Sequence, residues 1–410
     1  MKMHNRAHFL GIGLSIGLFL PHTSTFLMLV NPLLCLFLYY ISRKHRPTFN
    51  NNIGKIKTVA TFFVFIVAIS LIARFALSTG SSESVKFLMT GLNLIILFLC
   101  FPFTSQDKIP AGYFYFAILF ILFSQLVYAL HIPALQQFFD TMYPVQGDKT
   151  TMYFDYMRRN VSLGNLFDFR LSGLYRNPNQ ATRFVTLITA LFIVTNRSKT
   201  LKEILIFLGL AFFSVLLTGS RTGLFIQTLL LLSVVYKNRM IAKNQRLLIY
   251  FLIFLLLLYL VLSSSDLSGI RGLQVGEGFS NSANIKWYVL LDYLSQPNSV
   301  YHILFGYGDV SLFEPSDIEI MDKFDSEYGE IIYTYGFFGF LILLVFYITC
   351  FSRCDRSKKP FFIILLWMVS STILMSYRMS FAFLFSLSYV LTFNENGLYD
   401  ANNIIAFKRK

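Results

Sequence analysis

Arginines and acids are sparse in this chain, and several fall in short polar segments between long apolar runs. Arg170, Arg176 and Arg183 cluster around Arg170-Leu-Ser-Gly173-Leu-Tyr175-Arg176-Asn177-Pro178-Asn179. Arg221 sits in the tight segment Thr218-Gly219-Ser220-Arg221-Thr222-Gly223, and Arg378 just precedes the last apolar run. The planar guanidinium fork suits phosphate, because it makes paired, charge-assisted hydrogen bonds. A diphosphate held by fixed cations is also a good leaving group, so a set of arginines could assist a transfer reaction. Each arginine has ordinary uses as well: its stem can reach to lipid headgroups, or its head can cap a helix C-terminus. The acids stand in Phe324-Asp325-Ser326-Glu327-Tyr328-Gly329-Glu330, at the entrance to an apolar stretch. Asp325 or Glu327 could act as a general base toward a hydroxyl acceptor. Acids there are equally favoured by the helix dipole and as caps, so both uses stay open.

What must position these groups follows from composition. Hydrophobic residues make up 55% of the chain and charged residues 14%, against roughly 25% charged in an ordinary soluble domain. Apolar runs fall near 8–21, 24–41, 58–77, 85–103, 111–130, 181–195, 201–218, 222–236, 247–263, 328–350, 360–376 and 379–394. Most approach the roughly 20 residues that cross a bilayer core. Backbone groups in lipid must pair within their own segment, and the dyad alternation of a barrel is missing, so the runs are expected to be helices. The expectation is an all-α polytopic membrane protein of about a dozen spans, with residues 1–410 forming a single integral membrane domain. The first run follows Lys2 and Arg6 without a cleavage pattern and is expected to remain as a helix.

The formal charge of +14 is sorted by position, which argues for topology and against a nucleic-acid partner. Basic connections around 43–57, 197–202, 237–246, 353–359 and 408–410 alternate with connections nearly empty of Lys and Arg, such as 21–24 and 78–84. The phase puts both termini on the cytoplasmic side. It puts two long loops, 131–180 and 264–327, on the outer side together with the arginine turns and the acids. Loops of that length tend to carry function. The second is expected to hold a short amphipathic helix around 284–294, with Trp287 at an interface or simply packed. Cys35, Cys100, Cys350 and Cys354 lie in or at the ends of apolar runs, so the long loops have no disulfide framework. His and Cys spacing fits no metal site, and no cofactor is expected. A transporter also needs many helices, but transporters tend to show internal repeats and midplane charges. No repeat between the halves is evident here.

The arginine segments resemble those of the O-antigen ligase and polymerase superfamily. Arg170 to Asn179 is similar to its R-x-x-G-x-x-x-N-P-N segment, and Leu217 to Gly223 to its L-T-G-S-R turn. Lys286-Trp287, Phe305-Gly306-Tyr307-Gly308 and Tyr335-Gly336-Phe337-Phe338-Gly339 resemble the approach and entry to its late helix. The resemblance covers about 170–340, in the family's order. It implies a metal-independent glycosyltransferase of the bacterial inner membrane that uses an undecaprenyl-diphosphate-linked oligosaccharide, amid membrane lipids and with a chain-length regulator as a further partner. Carried over residue by residue, Arg170 and Arg221 would hold the diphosphate. Arg176, Arg378 and Asn179 are expected from their placement to join them, and Asp325, Glu327 and Arg221 are expected to serve the chemistry. Ligases of the superfamily often carry a His where this sequence has Asp325. The resemblance therefore favours a Wzy-type repeat-unit polymerase over a ligase, and leaves the identity of the base open.

Overall fold

The computed structural model describes residues 51–77, 82–102, 109–142, 170–175, 177–196, 200–237, 300–306, 327–369, 374 and 377–392, together with Leu33, Leu36, Phe37 and Leu294. Apart from these four single helical positions, the runs expected at 8–21, 24–41 and 247–263 and the helix expected at 284–294 lie outside the described residues. Among the described residues every regular element is a helix. They are α1 Asn51–Leu77, α2 Ser82–Cys100, α3 Ala111–Ala129, α4 Pro133–Met142, α5 Pro178–Thr195, α6 Leu201–Leu217, α7 Arg221–Lys237, α8 Val300–Phe305, α9 Glu327–Arg353, a 3-10 helix Lys359–Val369 and α10 Tyr377–Thr392. By length and apolarity, Gly54–Ile72, Ala111–Ala129 and Glu327–Arg353 could each cross a membrane. Large apolar side chains on their outer faces, among them Phe62, Phe65, Phe116 and Ile348, are more than half exposed, as suits contact with lipid.

Helix α5 is the hub. It packs against α3, α6, α7, α10 and the 3-10 helix, and every residue from Ala181 to Phe192 is buried. A helix buried on all sides ought to be apolar all round, yet α5 carries Thr182, Arg183, Thr186 and Thr189. Its threonines settle their hydroxyls locally: Thr182 donates to the Pro178 carbonyl (2.8 Å), Thr186 to Thr182 (2.9 Å) and Thr189 to Val185 (2.7 Å). As acceptors they then bind neighbouring helices. Trp367 Nε1 on the 3-10 helix donates to Thr186 Oγ1 (2.9 Å), and Gln227 Nε2 on α7 to Thr189 Oγ1 (3.4 Å). Small hydroxylated residues therefore join helices where the apolar surfaces alone would specify little.

A second group of helices, α1, α2, α8 and α9, packs beside this hub through α2 on α10 and α9 on the 3-10 helix. Helix α9 departs from the uninterrupted span expected at 328–350. Gly336 has φ 72 and ψ −178, which breaks it in two. The rings of Tyr328 and Phe340 lie 5.6 Å apart, whereas a continuous helix would separate these positions by about 18 Å along its axis. The first half thus folds back along the second, and Tyr328 shares an apolar groove with Leu344, Tyr347 and Ile348. The break is fixed by α8. A Cβ on Gly336 would fall 2.2 Å from the Leu304 carbonyl oxygen, and one on Gly306 2.4 Å from that of Thr334. Ser70 Oγ of α1 donates to the Phe305 carbonyl (3.0 Å) and completes this junction.

Candidate functional site

The segment from Arg170 to Tyr175 has no regular structure, and α3 supplies its seat. Gln125, fully buried about one turn from the C-terminal end of α3, donates through Nε2 to the carbonyls of Leu171 and Ser214 (3.2 Å each) and accepts from Ser214 Oγ at 2.9 Å. The neighbouring Ser124 Oγ accepts from the Leu174 amide (3.1 Å). Leu171 N in turn donates to the Leu217 carbonyl at the end of α6 (2.9 Å). The Ser124–Gln125 pair of α3 therefore holds both the Arg170 segment and the last turn of α6.

Helix α5 begins immediately after. Asn177 is its N-cap, with its side chain accepting from Asn179 N at 2.8 Å, and Pro178 follows at the first helical position. Proline costs nothing there because that amide has no intrahelical partner anyway. The cap leaves the Asn179 side chain to turn outward to Arg170: Arg170 Nη2 donates to Asn179 Oδ1 at 2.8 Å, and Arg170 Nε to the Thr218 carbonyl at 3.2 Å. Thr218 is the C-cap of α6, so the guanidinium sits at the negative end of that helix. The capping use of arginine and its recruitment to a shared cluster are realised together. Arg183, 4% exposed, lies one turn along α5 and donates through Nε to the Asn179 carbonyl (3.3 Å).

Between α6 and α7 the chain turns within Thr218-Gly219-Ser220. Thr218 Oγ1 shares a hydrogen bond with Thr182 Oγ1 of α5 (2.7 Å) and accepts from Ser220 N (3.3 Å). Ser220 Oγ then accepts from Gly223 N (3.4 Å) at the start of α7. Gly223 lies against α5, where a Cβ would come within 1.9 Å of Thr182 Cγ2. No side chain fits, and this close approach brings Arg221, the half-buried first residue of α7, up to the head of α5. The two arginine-bearing motifs are thus one structure. Arg170, Asn179, Arg183 and Arg221 gather where α5 and α7 begin and α6 ends. Cationic groups beside helix N-termini form a place for an anion.

The expected acids are placed differently. Glu327 begins α9 but is fully buried, and its carboxylate accepts from the Leu374 amide in the connection between the 3-10 helix and α10. Glu330, one turn on, is half-buried. Arg378 falls in the first turn of α10, though its side chain is outside the described residues, as are Arg176 and Asp325. On α8, burial lowers the His302 imidazole below its ordinary range, which leaves it neutral near pH 7. Sequence reasoning missed Gln125 as part of the site. Its signal was a Ser-Gln pair inside a span, where polar groups are disfavoured unless they have partners. Compared with models of known protein families and with curated proteins, the chain matches none.

Proposed function

We propose that this chain is a polysaccharide polymerase: a glycosyltransferase that joins undecaprenyl-diphosphate-linked oligosaccharide repeat units at the outer face of the bacterial inner membrane. The observation that carries this reading is the bridge made by Arg170 between Asn179 and Thr218. It joins the two motifs that suggested the family and sets Arg221 beside them, with the N-terminal ends of α5 and α7 adding positive potential. A lipid-linked diphosphate bound there would have its leaving-group charge met by guanidinium groups already fixed in place, which lowers the barrier to departure of the lipid diphosphate. The sugar of the donor chain would then be taken by a hydroxyl of the acceptor repeat unit, with its proton removed by a carboxylate of the 325–330 segment, Asp325 or Glu330.

The test supplies purified protein in lipid nanodiscs with lipid-linked repeat unit alone. Polymer formation without lipid A-core supports the polymerase. Glycan transfer that needs lipid A-core would make the protein a ligase. Movement of the intact lipid-linked unit across a bilayer, with no new glycosidic bond, would make it a transporter.

A further inference from the structure

We propose that Glu327 is a positioning residue that ties down Leu374, four residues before Arg378, and that it is not the base of the reaction; this rests on the polymerase reading. The carboxylate has no solvent exposure, and one of its oxygens accepts from the Leu374 amide. A general base must come within hydrogen-bond reach of the proton it removes, and a fully buried, engaged carboxylate is poorly placed for that. It is well placed for another task. Leu374 lies outside any helix and is itself buried, so its amide needs an acceptor, and the Glu327 carboxylate is one. The break at Gly336 sends residues 327–335 back along α9 and delivers the Glu327 carboxylate to that amide from within the bundle. Four residues further on stands Arg378. The tie thus runs from the junction at Gly306 and Gly336, through the folded-back half of α9, to Leu374.

The role separates from that of a base by substitution. Glu327→Gln keeps an oxygen that can accept from the Leu374 amide but cannot take a proton, whereas Glu327→Ala loses both. Two readouts are needed, on wild type and both variants in nanodiscs: amide hydrogen exchange over 370–378, and kcat and KM for the lipid-linked repeat unit. We expect Glu327→Gln to keep wild-type protection and turnover within about threefold. In Glu327→Ala, exchange over 370–378 should quicken by about tenfold or more. KM for the donor should rise between about ten- and a hundredfold as Arg378 loses its place, with a smaller change in kcat. Loss of turnover in Glu327→Gln at unchanged protection would overturn the proposal and make the carboxylate a base. Unchanged exchange in Glu327→Ala would overturn it too, by showing that the tie holds nothing. If Glu327→Ala does not fold, Glu327→Gln alone still decides between the roles. If no preparation makes polymer, the polymerase reading fails while the exchange arm still judges the tie.

Discussion

Arg170 and Arg221 carry similar expectations from the sequence, yet the structure gives Arg170 a second duty. Its Nε and Nη2 groups bind the Thr218 carbonyl and the Asn179 side chain, and charge-assisted bonds of this kind are worth roughly 1.5–3 kcal/mol each. Arg170→Ala should therefore abolish polymer and also lower thermal stability in detergent, whereas Arg170→Lys, a point charge without a fork, should restore each only in part. Arg221→Ala should likewise abolish polymer with the protein still in the membrane. An Arg170→Ala variant that lost polymer at unchanged Tm would remove its bridging role. Gln125 gives a sharper case, since it touches the site only through backbone and Ser214. Gln125→Leu forfeits the bonds to Leu171, Ser214 O and Ser214 Oγ, at a cost of roughly 2–3 kcal/mol. Gln125→Glu keeps the acceptor and loses the donor, so it too should slow polymer formation with every arginine in place. The arginines were legible in the sequence because charge beside apolar runs is conspicuous. Gln125 was not, because its meaning depends on carbonyls 46 and 89 residues away.

At the level of helices, apolar length located α5, α6 and α7 to within a few residues of the expected runs at 181–195, 201–218 and 222–236. The same criterion read straight through Gly336, because a fold-back in an apolar stretch leaves hydropathy unchanged. What reveals it is the carbonyl of Leu304, brought up by a separate short helix. Gly336→Ala should force α8 away from α9, since the added Cβ would overlap Leu304 O and the backbone at φ 72 suits glycine alone. Faster hydrogen exchange over 300–306 would register the release, and unchanged exchange would show that α8 is held by other contacts. Gly223→Val acts on the other junction. Its side chain would collide with Thr182 on α5, part α7 from the hub and carry Arg221 away from Arg170. The variant should bind prenyl diphosphate more weakly than wild type by about tenfold or more, a loss that Thr182→Ala in the same chain should partly restore by clearing the overlap.

Across the whole molecule, the alternation of basic and charge-poor connections and the hydrogen bonds between helices are independent sources that can be set against each other. Tyr115 near the start of α3 donates to the Glu203 carbonyl near the start of α6 (2.7 Å), and Ile109 N to Tyr389 OH near the end of α10 (3.3 Å). All four positions fall at ends that the charge pattern assigns to the basic side. At the other ends, Leu171 N binds Leu217 O, Tyr128 OH binds Asp140 (2.8 Å) and Ser70 Oγ binds Phe305 O, joining positions the pattern assigns to the outer side. A phase slipped by one span anywhere among these helices would pair opposite ends somewhere, and none of these bonds does so. The relative sidedness is thus built into the packing, while its absolute sense rests on the bias of Lys and Arg toward the cytoplasm. Single cysteines at Asp140 and Tyr301 should react with a membrane-impermeant maleimide added outside intact spheroplasts, and cysteines at Lys202 and Arg353 only after permeabilisation. The reverse pattern would invert the molecule and overturn the outer placement of the arginine cluster. A mixed pattern would break the phase and separate the two motifs that Arg170 joins.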